Sequence, residues 1–149
     1  MSKLSKSEAA EVVASVLGTD ASTLSGNWVE FDSKSSKQAI YFSQCKPSAA
    51  SKGHWKYDFF HTLSFSTVQE IGERSGFLIL INYVDRTYAL LNTGDLLWVA
   101  RNSSRTKSNE GVVCDFVIER NNNGAYDLRP YDRQRQERHA VEVMRWKMT

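Results

Sequence analysis

The apolar run Phe77-Leu78-Ile79-Leu80-Ile81 constrains the fold of this chain more than any other segment. An unbroken apolar run with β-branched residues is typical of a β-strand that is buried on both faces. Such a strand needs neighbouring strands at its edges and a packed layer on each side. The run therefore predicts a sheet in the interior of the protein, with helices flanking it.

Residues 5–17 have the pattern of an amphipathic helix, because their apolar side chains recur at helical spacing. Ser5 with Glu8 three residues later matches a capping box at the start, and Gly18 marks the end. Three weaker helical patterns occur: one begins at Ser66, one covers a single turn at 95–100, and one covers 132–139.

Strand-like runs occur at 27–32, 38–46, 87–91, 112–120 and 125–129. Turn-forming residues at 33–37 and 121–124 join two pairs of these runs into hairpins. Residues 101–111 are polar and basic, as in a flexible loop. Together the elements predict a mixed α/β fold with a single central β-sheet and flanking helices. The length of 149 residues predicts a single domain, 1–149.

The composition narrows the class of protein. The chain has no apolar run long enough to span a membrane, and its first residues lack the apolar core of a signal peptide. We therefore expect a cytoplasmic protein with no membrane partner. Cys45 and Cys114 lack the spacing of metal ligands and are expected to be reduced and structural. The three histidines are scattered, so a zinc site has no support.

The tripeptide Gln44-Cys45-Lys46 closes a predicted strand and carries the main functional signal. Residues two apart share a face of a strand, so Gln44 and Lys46 lie on the face of the apolar Ile40 and Phe42. A charge is costly in such a place unless it has a role. The pattern favours a site for metal-assisted phosphodiester cleavage. The alternative is a strand end that emerges into solvent, with Lys46 extended toward water.

Over about residues 5–91 the order of elements resembles the PD-(D/E)xK restriction-endonuclease-like superfamily, in the variant where glutamine replaces an acid. The resemblance implies a restriction-endonuclease-like core and a metal-dependent DNA endonuclease that uses Mg²⁺. It assigns Glu30 or Asp32, together with Gln44, to the metal, and Lys46 to the attacking water. It also implies an inward glutamate on the first helix, for which Glu8 is the candidate. The Pro-Asp pair of the family is absent.

The predicted hairpin places Glu30 opposite Ile40. Gln44 would then lie about 13 Å farther along the strand, at ~3.3 Å per residue. One Mg²⁺ with ligands at about 2.1 Å cannot bridge that distance. A bulge, a longer loop or another acid such as Asp20 or Asp58 would have to complete the site.

Positive charge is concentrated in the last third of the chain. The net charge is +2, but from residue 101 onward the chain has ten Lys/Arg and seven Asp/Glu, a local net charge of +3. Arginine suits bidentate contact with phosphate, so we expect double-stranded DNA as the partner, although a solvated charged face is equally open. The predicted nucleic-acid contacts are Lys52, Arg101, Arg105, Lys107, Arg133, Arg135 and Arg138.

Two functions are favoured at this stage over a plain structural interaction domain. Cleavage of both strands of a duplex needs two sites, so an endonuclease would be a homo-oligomer. The alternative is a non-enzymatic module that binds nucleic acid or protein, such as an accessory or inhibitor protein of a mobile element or defence system. Metal-dependent cleavage separates the two.

Overall fold

A computed structural model describes residues 3–18, 23–32, 37–45, 48–49, 55–57, 59–102, 105–108, 111–131 and 137–146. At 23–25, 31–32, 37–38, 48–49, 55–57, 60, 105–108 and 111 it describes the backbone alone. The described residues form the helices α1 (Lys6–Leu17), α2 (Phe65–Glu73) and α3 (Thr93–Asn102). The strands are β1 (Thr23–Ser25), β2 (Trp28–Asp32), β3 (Lys37–Cys45), β4 (Ser48–Ala49), β5 (Trp55–Tyr57), β6 (Phe59–Ser64), β7 (Phe77–Asn82), β8 (Thr87–Leu91), β9 (Arg105–Ser108), β10 (Gly111–Arg120), β11 (Tyr126–Pro130), β12 (His139–Val141) and β13 (Val143–Arg145).

The first helix begins and ends where its sequence predicts. The Ser5 hydroxyl accepts a hydrogen bond from the Glu8 N–H, and the Ser5 N–H donates to the Glu8 carboxylate, which completes the capping box. Gly18 ends the helix in the left-handed conformation, with φ at 67°. The buried side of α1 includes Ala9 and Val13, which are fully enclosed. The helix predicted at 5–17 is confirmed.

The predicted central strand lies in a six-stranded sheet with the order β1-β2-β3-β7-β8-β13. β2 and β3 form an antiparallel hairpin, β3 runs parallel to β7, and β7 is antiparallel to β8. Leu78, Ile79, Leu80 and Ile81 are all fully buried, as an interior strand requires. The prediction that the hairpin and β7 share one sheet is therefore confirmed.

The prediction of a single central sheet is wrong. A five-stranded sheet has the order β12-β11-β10-β6, with β9 also paired to β10, and β4 pairs with β5 in a separate two-stranded sheet. Strand patterns are local, whereas the choice of sheet depends on distant pairing, such as Phe59 of β6 with Ile118 of β10. The end of the chain joins the two larger sheets: β12 pairs with β11, and β13 pairs with β8, with only Glu142 between them.

The six-stranded sheet has a different apolar layer on each face. Its helix face, which includes Ile40 and Ile79, packs against α1. Its inner face, which includes Leu80, packs against α2, α3 and the five-stranded sheet through residues such as Ile71 and Phe116. These two layers make the fold a mixed α/β architecture.

Several predicted boundaries differ from the structure. α2 is capped by Ser64 rather than Ser66, because the Ser64 hydroxyl accepts from the Thr67 N–H. The turn predicted at 95–100 is the longer helix α3, and part of the predicted basic loop forms β9 on the edge of β10. The helix predicted at 132–139 is wrong at its end, where His139 begins β12; residues 132–136 lie outside the described part. Among the described residues, no helix is long and apolar enough to cross a membrane.

Candidate functional site at the carboxyl ends of β3 and β7

The carboxyl ends of the parallel strands β3 and β7 lie side by side. Gln44 is in register with Ile81, and Cys45 with Asn82. Loops that leave the carboxyl ends of parallel strands meet at one edge of a sheet, where α/β proteins commonly bind ligands. Of the residues that the sequence predicted as a site, the described part of this edge contains Gln44. Its described polar side chains, Gln44, Cys45 and Asn82, each have a defined partner.

Gln44 anchors the segment that leads into α1. Its Oε1 accepts from the Leu4 N–H at 2.9 Å, and its Nε2 donates to the Leu4 carbonyl at 2.8 Å. The amide thus closes a two-bond ring with the backbone, a geometry that fixes its orientation. The oxygen proposed as a metal ligand is already used by a backbone donor.

Cys45 and His61 form a neutral buried pair. The Cys45 Sγ and the His61 Nδ1 are 3.4 Å apart, and the His61 ring meets the edge of Phe116 with centroids 5.7 Å apart. Burial raises the pKa of the Cys45 thiol to about 12, against a smaller opposing effect of Lys3. Burial lowers the pKa of His61 to about 4. Because both groups are neutral at pH 7, the pair cannot supply a thiolate nucleophile.

Asn82 organises the turn after β7. This residue is fully buried, and its Oδ1 accepts from the N–H groups of Val84 and Asp85 at 3.1 Å each. Its Nδ2 donates to the Asp85 carboxylate at 3.0 Å. Such an Asx turn satisfies the buried amide and holds the Asp85 carboxylate at this edge.

Glu30 does not join this edge. It pairs with Ala39 rather than Ile40, so the register differs from the predicted one by one residue. A shift of one residue exchanges the faces of a strand, and Glu30 lies on the inner face, whereas Gln44 lies on the helix face. Five residues from Ala39 to Gln44 also separate them by about 16 Å along the sheet. The structure does not bring Glu30 and Gln44 together.

The surroundings of Glu30 explain its position. Arg74, at the end of α2, lies 3.6 Å from the Glu30 carboxylate and stacks over the Trp28 ring at 4.2 Å. Arg74 also pairs with Glu70 at 3.1 Å. These contacts connect α2 to the hairpin. An exposed ion pair of this kind contributes little by itself, so the stacked ring is the larger contact.

The remaining predicted site residues are distributed as follows. The Glu8 carboxylate caps α1 and is exposed, and its bonds to Ser5 lower its pKa. The backbone of Asp32 pairs with Lys37, far from Gln44. Lys46, Lys52, Arg133, Arg135, Asp20, Asp58 and the Asp32 side chain lie outside the described part.

Among the predicted phosphate contacts, Arg138 is ion-paired. Its guanidinium lies 3.1 Å from Glu119 and 3.4 Å from Asp127, and Arg129 contacts Glu119 at 2.7 Å. These four side chains form a network on the five-stranded sheet, in which the acids offset the positive charge. Arg101 is exposed at the end of α3, and the backbones of Arg105 and Lys107 lie in β9.

Metal ligands do not cluster in the described part of the chain, where no three side chains of His, Cys, Asp or Glu come together as a metal group. Gln44 is bonded to Leu4 and Glu30 is on the opposite face. The described residues therefore do not fit a Mg²⁺ site, and the Mg²⁺ requirement stays a prediction.

One polar cluster has no signal in the sequence. The Asp95 carboxylate lies 2.6 Å from the His139 Nε2, and the imidazole stacks on Trp98 with centroids 5.2 Å apart. The other Asp95 oxygen accepts from the Asn92 N–H at 2.9 Å. The cluster ties β12 to α3, and its partners are 44 residues apart, so no local pattern could have indicated it.

Comparison with known proteins adds no assignment: no protein-family model matches the chain, and no curated protein or solved structure matches it. The function must therefore be argued from the chain's own residues.

Proposed function

We propose that this chain is a protein that binds nucleic acid without cleaving it, and that the segment from the end of α3 through β9 contacts phosphate groups. From Leu96 to Asn109 the chain has three cations, Arg101, Arg105 and Lys107, and no acid. Within this stretch α3 ends at Asn102, and β9 (Arg105–Ser108) pairs with β10. A stretch of sequence that contains cations and no acid, and that partly forms an edge strand, is the observation that supports the proposal, since phosphate contact supplies most of non-specific affinity.

The ion pairs of Arg129 and Arg138 make the segment from the end of α3 through β9 the stronger candidate for phosphate contact. Arg129 and Arg138 already face Glu119 and Asp127, so phosphates would have to compete with these carboxylates. A phosphate at Arg138 would have to displace carboxylate partners that are already in place, which lowers the net gain from that contact. We therefore expect replacement of the β9 cations to weaken binding more than replacement of Arg138.

Two features of the predicted metal ligands favour binding of nucleic acid over its cleavage. The Gln44 amide is bonded to Leu4, and Glu30 is directed to the other face of the sheet. A cytoplasmic location is also part of the proposal, since Cys45 and Cys114 are buried and a reducing compartment keeps cysteines as thiols.

Fluorescence anisotropy with a labelled DNA duplex of arbitrary sequence tests the proposal. With about −0.9 in the log–log salt slope per phosphate contact, three contacts predict about a 40-fold loss of affinity between about 50 and about 200 mM salt. The triple variant Arg101→Ala, Arg105→Ala, Lys107→Ala should bind more weakly and with a shallower slope. Lys3→Ala with Lys6→Ala, at the start of α1, is the control. Equal loss in both variants, or no binding by wild type at low salt, would contradict the proposal.

A metal-dependent endonuclease with a restriction-endonuclease-like core is the second candidate. It is favoured by the placement of α1, the β2–β3 hairpin and the parallel strand β7 around one sheet, with Asp85 at the carboxyl edge of β3 and β7. Nicking of supercoiled DNA with Mg²⁺ or Mn²⁺ tests it, and Lys46→Ala should abolish nicking while leaving affinity nearly intact. If Asp85→Asn removed nicking and Glu30→Gln did not, the acid would belong to the β7 turn.

A further inference from the structure

A groove of about 620 Å³ separates α2 from α3. Its lining is largely apolar and includes Phe65 and Val68 of α2 and Leu97 and Ala100 of α3. Leu97 is 45% exposed, one of the most exposed large apolar side chains of the described part. Large apolar side chains beside an open groove are typical of surfaces that bind a partner.

Small residues keep the groove open. Gly72 lies on its α2 side, and a Cβ at this position would meet only the Thr93 Cγ2, at 3.8 Å. Thr93 also donates to the Gly76 carbonyl at 3.3 Å, so the end of α2 meets the start of α3. The groove therefore has the contact between Thr93 and Gly76 beside the end that Gly72 lines.

The two ends of the groove have opposite charge. Glu73 lines the end at the junction, and Arg101 lines the other end, eight residues from Thr93 along α3. At a rise of 1.5 Å per residue, eight residues correspond to about 12 Å. An occupant must therefore be apolar over about two helical turns and carry a positive group near Glu73 and a negative group near Arg101.

We propose that this groove binds an amphipathic α-helix of a partner protein, with an apolar stripe flanked by a basic residue at one end and an acidic residue at the other. A helix with apolar residues at i, i+3, i+4 and i+7 presents such a stripe over the required length. Nucleic acid is a poorer occupant, because Glu73 would repel phosphate and Arg101 is the one cation among the described residues that line the groove. The groove shares Arg101 with the proposed phosphate-binding segment, but the proposal does not depend on Arg105 or Lys107.

Synthetic helical peptides of about 14 residues test the proposal by fluorescence anisotropy. Three peptides share the apolar stripe and differ only at its ends: one lysine and one glutamate, lysine at both ends, or glutamate at both ends. The mixed peptide should bind wild type most tightly, whichever way round it lies. Glu73→Lys should switch the preference to the peptide with two glutamates, while Glu11→Lys on α1 should not. Equal binding of the three peptides would overturn the proposal.

Two variants separate groove binding from unfolding. Gly72→Leu should narrow the groove, because the glycine needs no positive φ and a Cβ there makes an ordinary contact with the Thr93 Cγ2 at 3.8 Å. The midpoint of urea unfolding, measured in parallel, should show that the variant is folded. Leu97→Ser should weaken the mixed peptide about tenfold or more, from the loss of a buried leucine contact. Val112→Ser, at another exposed apolar residue, is the control. Unchanged peptide affinity in Gly72→Leu would refute the site. Weaker DNA binding in Leu97→Ser would assign the groove to nucleic acid instead.

Discussion

Acidification should destabilise this protein through His61 before most carboxylates are protonated. The imidazole is neutral in the folded protein, because desolvation lowers its pKa from 6.5 to about 4. Unfolding exposes the ring and restores its ordinary pKa. Between these two pKa values the unfolded chain binds more protons than the folded one, so stability rises with pH. The stabilisation is therefore complete above about pH 6.5 and is lost as the pH falls toward 4.

The shift in the pKa of His61 determines how much the free energy of unfolding falls on acidification. Each pH unit inside this window changes the free energy of unfolding by at most about 1.4 kcal/mol. From pH 7.5 to pH 5 the loss is about 2 kcal/mol, and it reaches about 3 kcal/mol below pH 4. A loss of this size is a large part of the stability of a small domain.

Urea unfolding followed by tryptophan fluorescence at pH 7.5 and pH 5 measures the effect. His61→Leu keeps an apolar side chain against Phe116 and removes the titrating group, so it isolates the histidine from the carboxylates. The wild type should lose about 2 kcal/mol more than the variant between the two pH values. An equal loss in both proteins would show that His61 is solvated in the folded state, and would refute the reasoning.

Two further perturbations test the packing around the candidate site. Gln44→Leu should lower the free energy of unfolding by about 1–3 kcal/mol, because it leaves the Leu4 backbone groups without their partner. Urea titration measures this loss, and Gln69→Leu, at an exposed position of α2, is the control. Val13→Asp should lower the free energy of unfolding by several kcal/mol, because it buries an unpaired carboxylate between α1 and the six-stranded sheet. Loss of the far-ultraviolet circular dichroism signal measures the unfolding. A variant that still folds cooperatively would contradict the packing of α1.

The elements that were predictable from the sequence are those with local signals. The capping box of Ser5 and Glu8 and the αL glycine Gly18 define α1 within one turn at each end. The turn at residues 121–124 likewise joins β10 to β11, with Asn121 accepting from the Asn123 N–H. These signals involve residues that are close along the chain, so no knowledge of the rest of the fold is needed.

The features that could not be predicted depend on distant residues. The second sheet requires β6 to pair with β10, and the cluster at Asp95 requires His139 to return to α3. The register of the β2–β3 hairpin differs from the predicted one by a single residue, which is enough to place Glu30 on the face opposite Gln44. The predicted register already separated Glu30 from Gln44 by about 13 Å, and the observed register adds the difference of face.

The most direct test of the central proposal is the affinity of the wild-type protein for a DNA duplex in EDTA and in Mg²⁺, with the integrity of the DNA measured in the same samples. A protein that acts by binding should have a similar affinity in both conditions, the same steep dependence on salt, and intact DNA at the end. Strand cutting that requires Mg²⁺ and disappears in Lys46→Ala would contradict the account and assign the edge of β3 and β7 to catalysis.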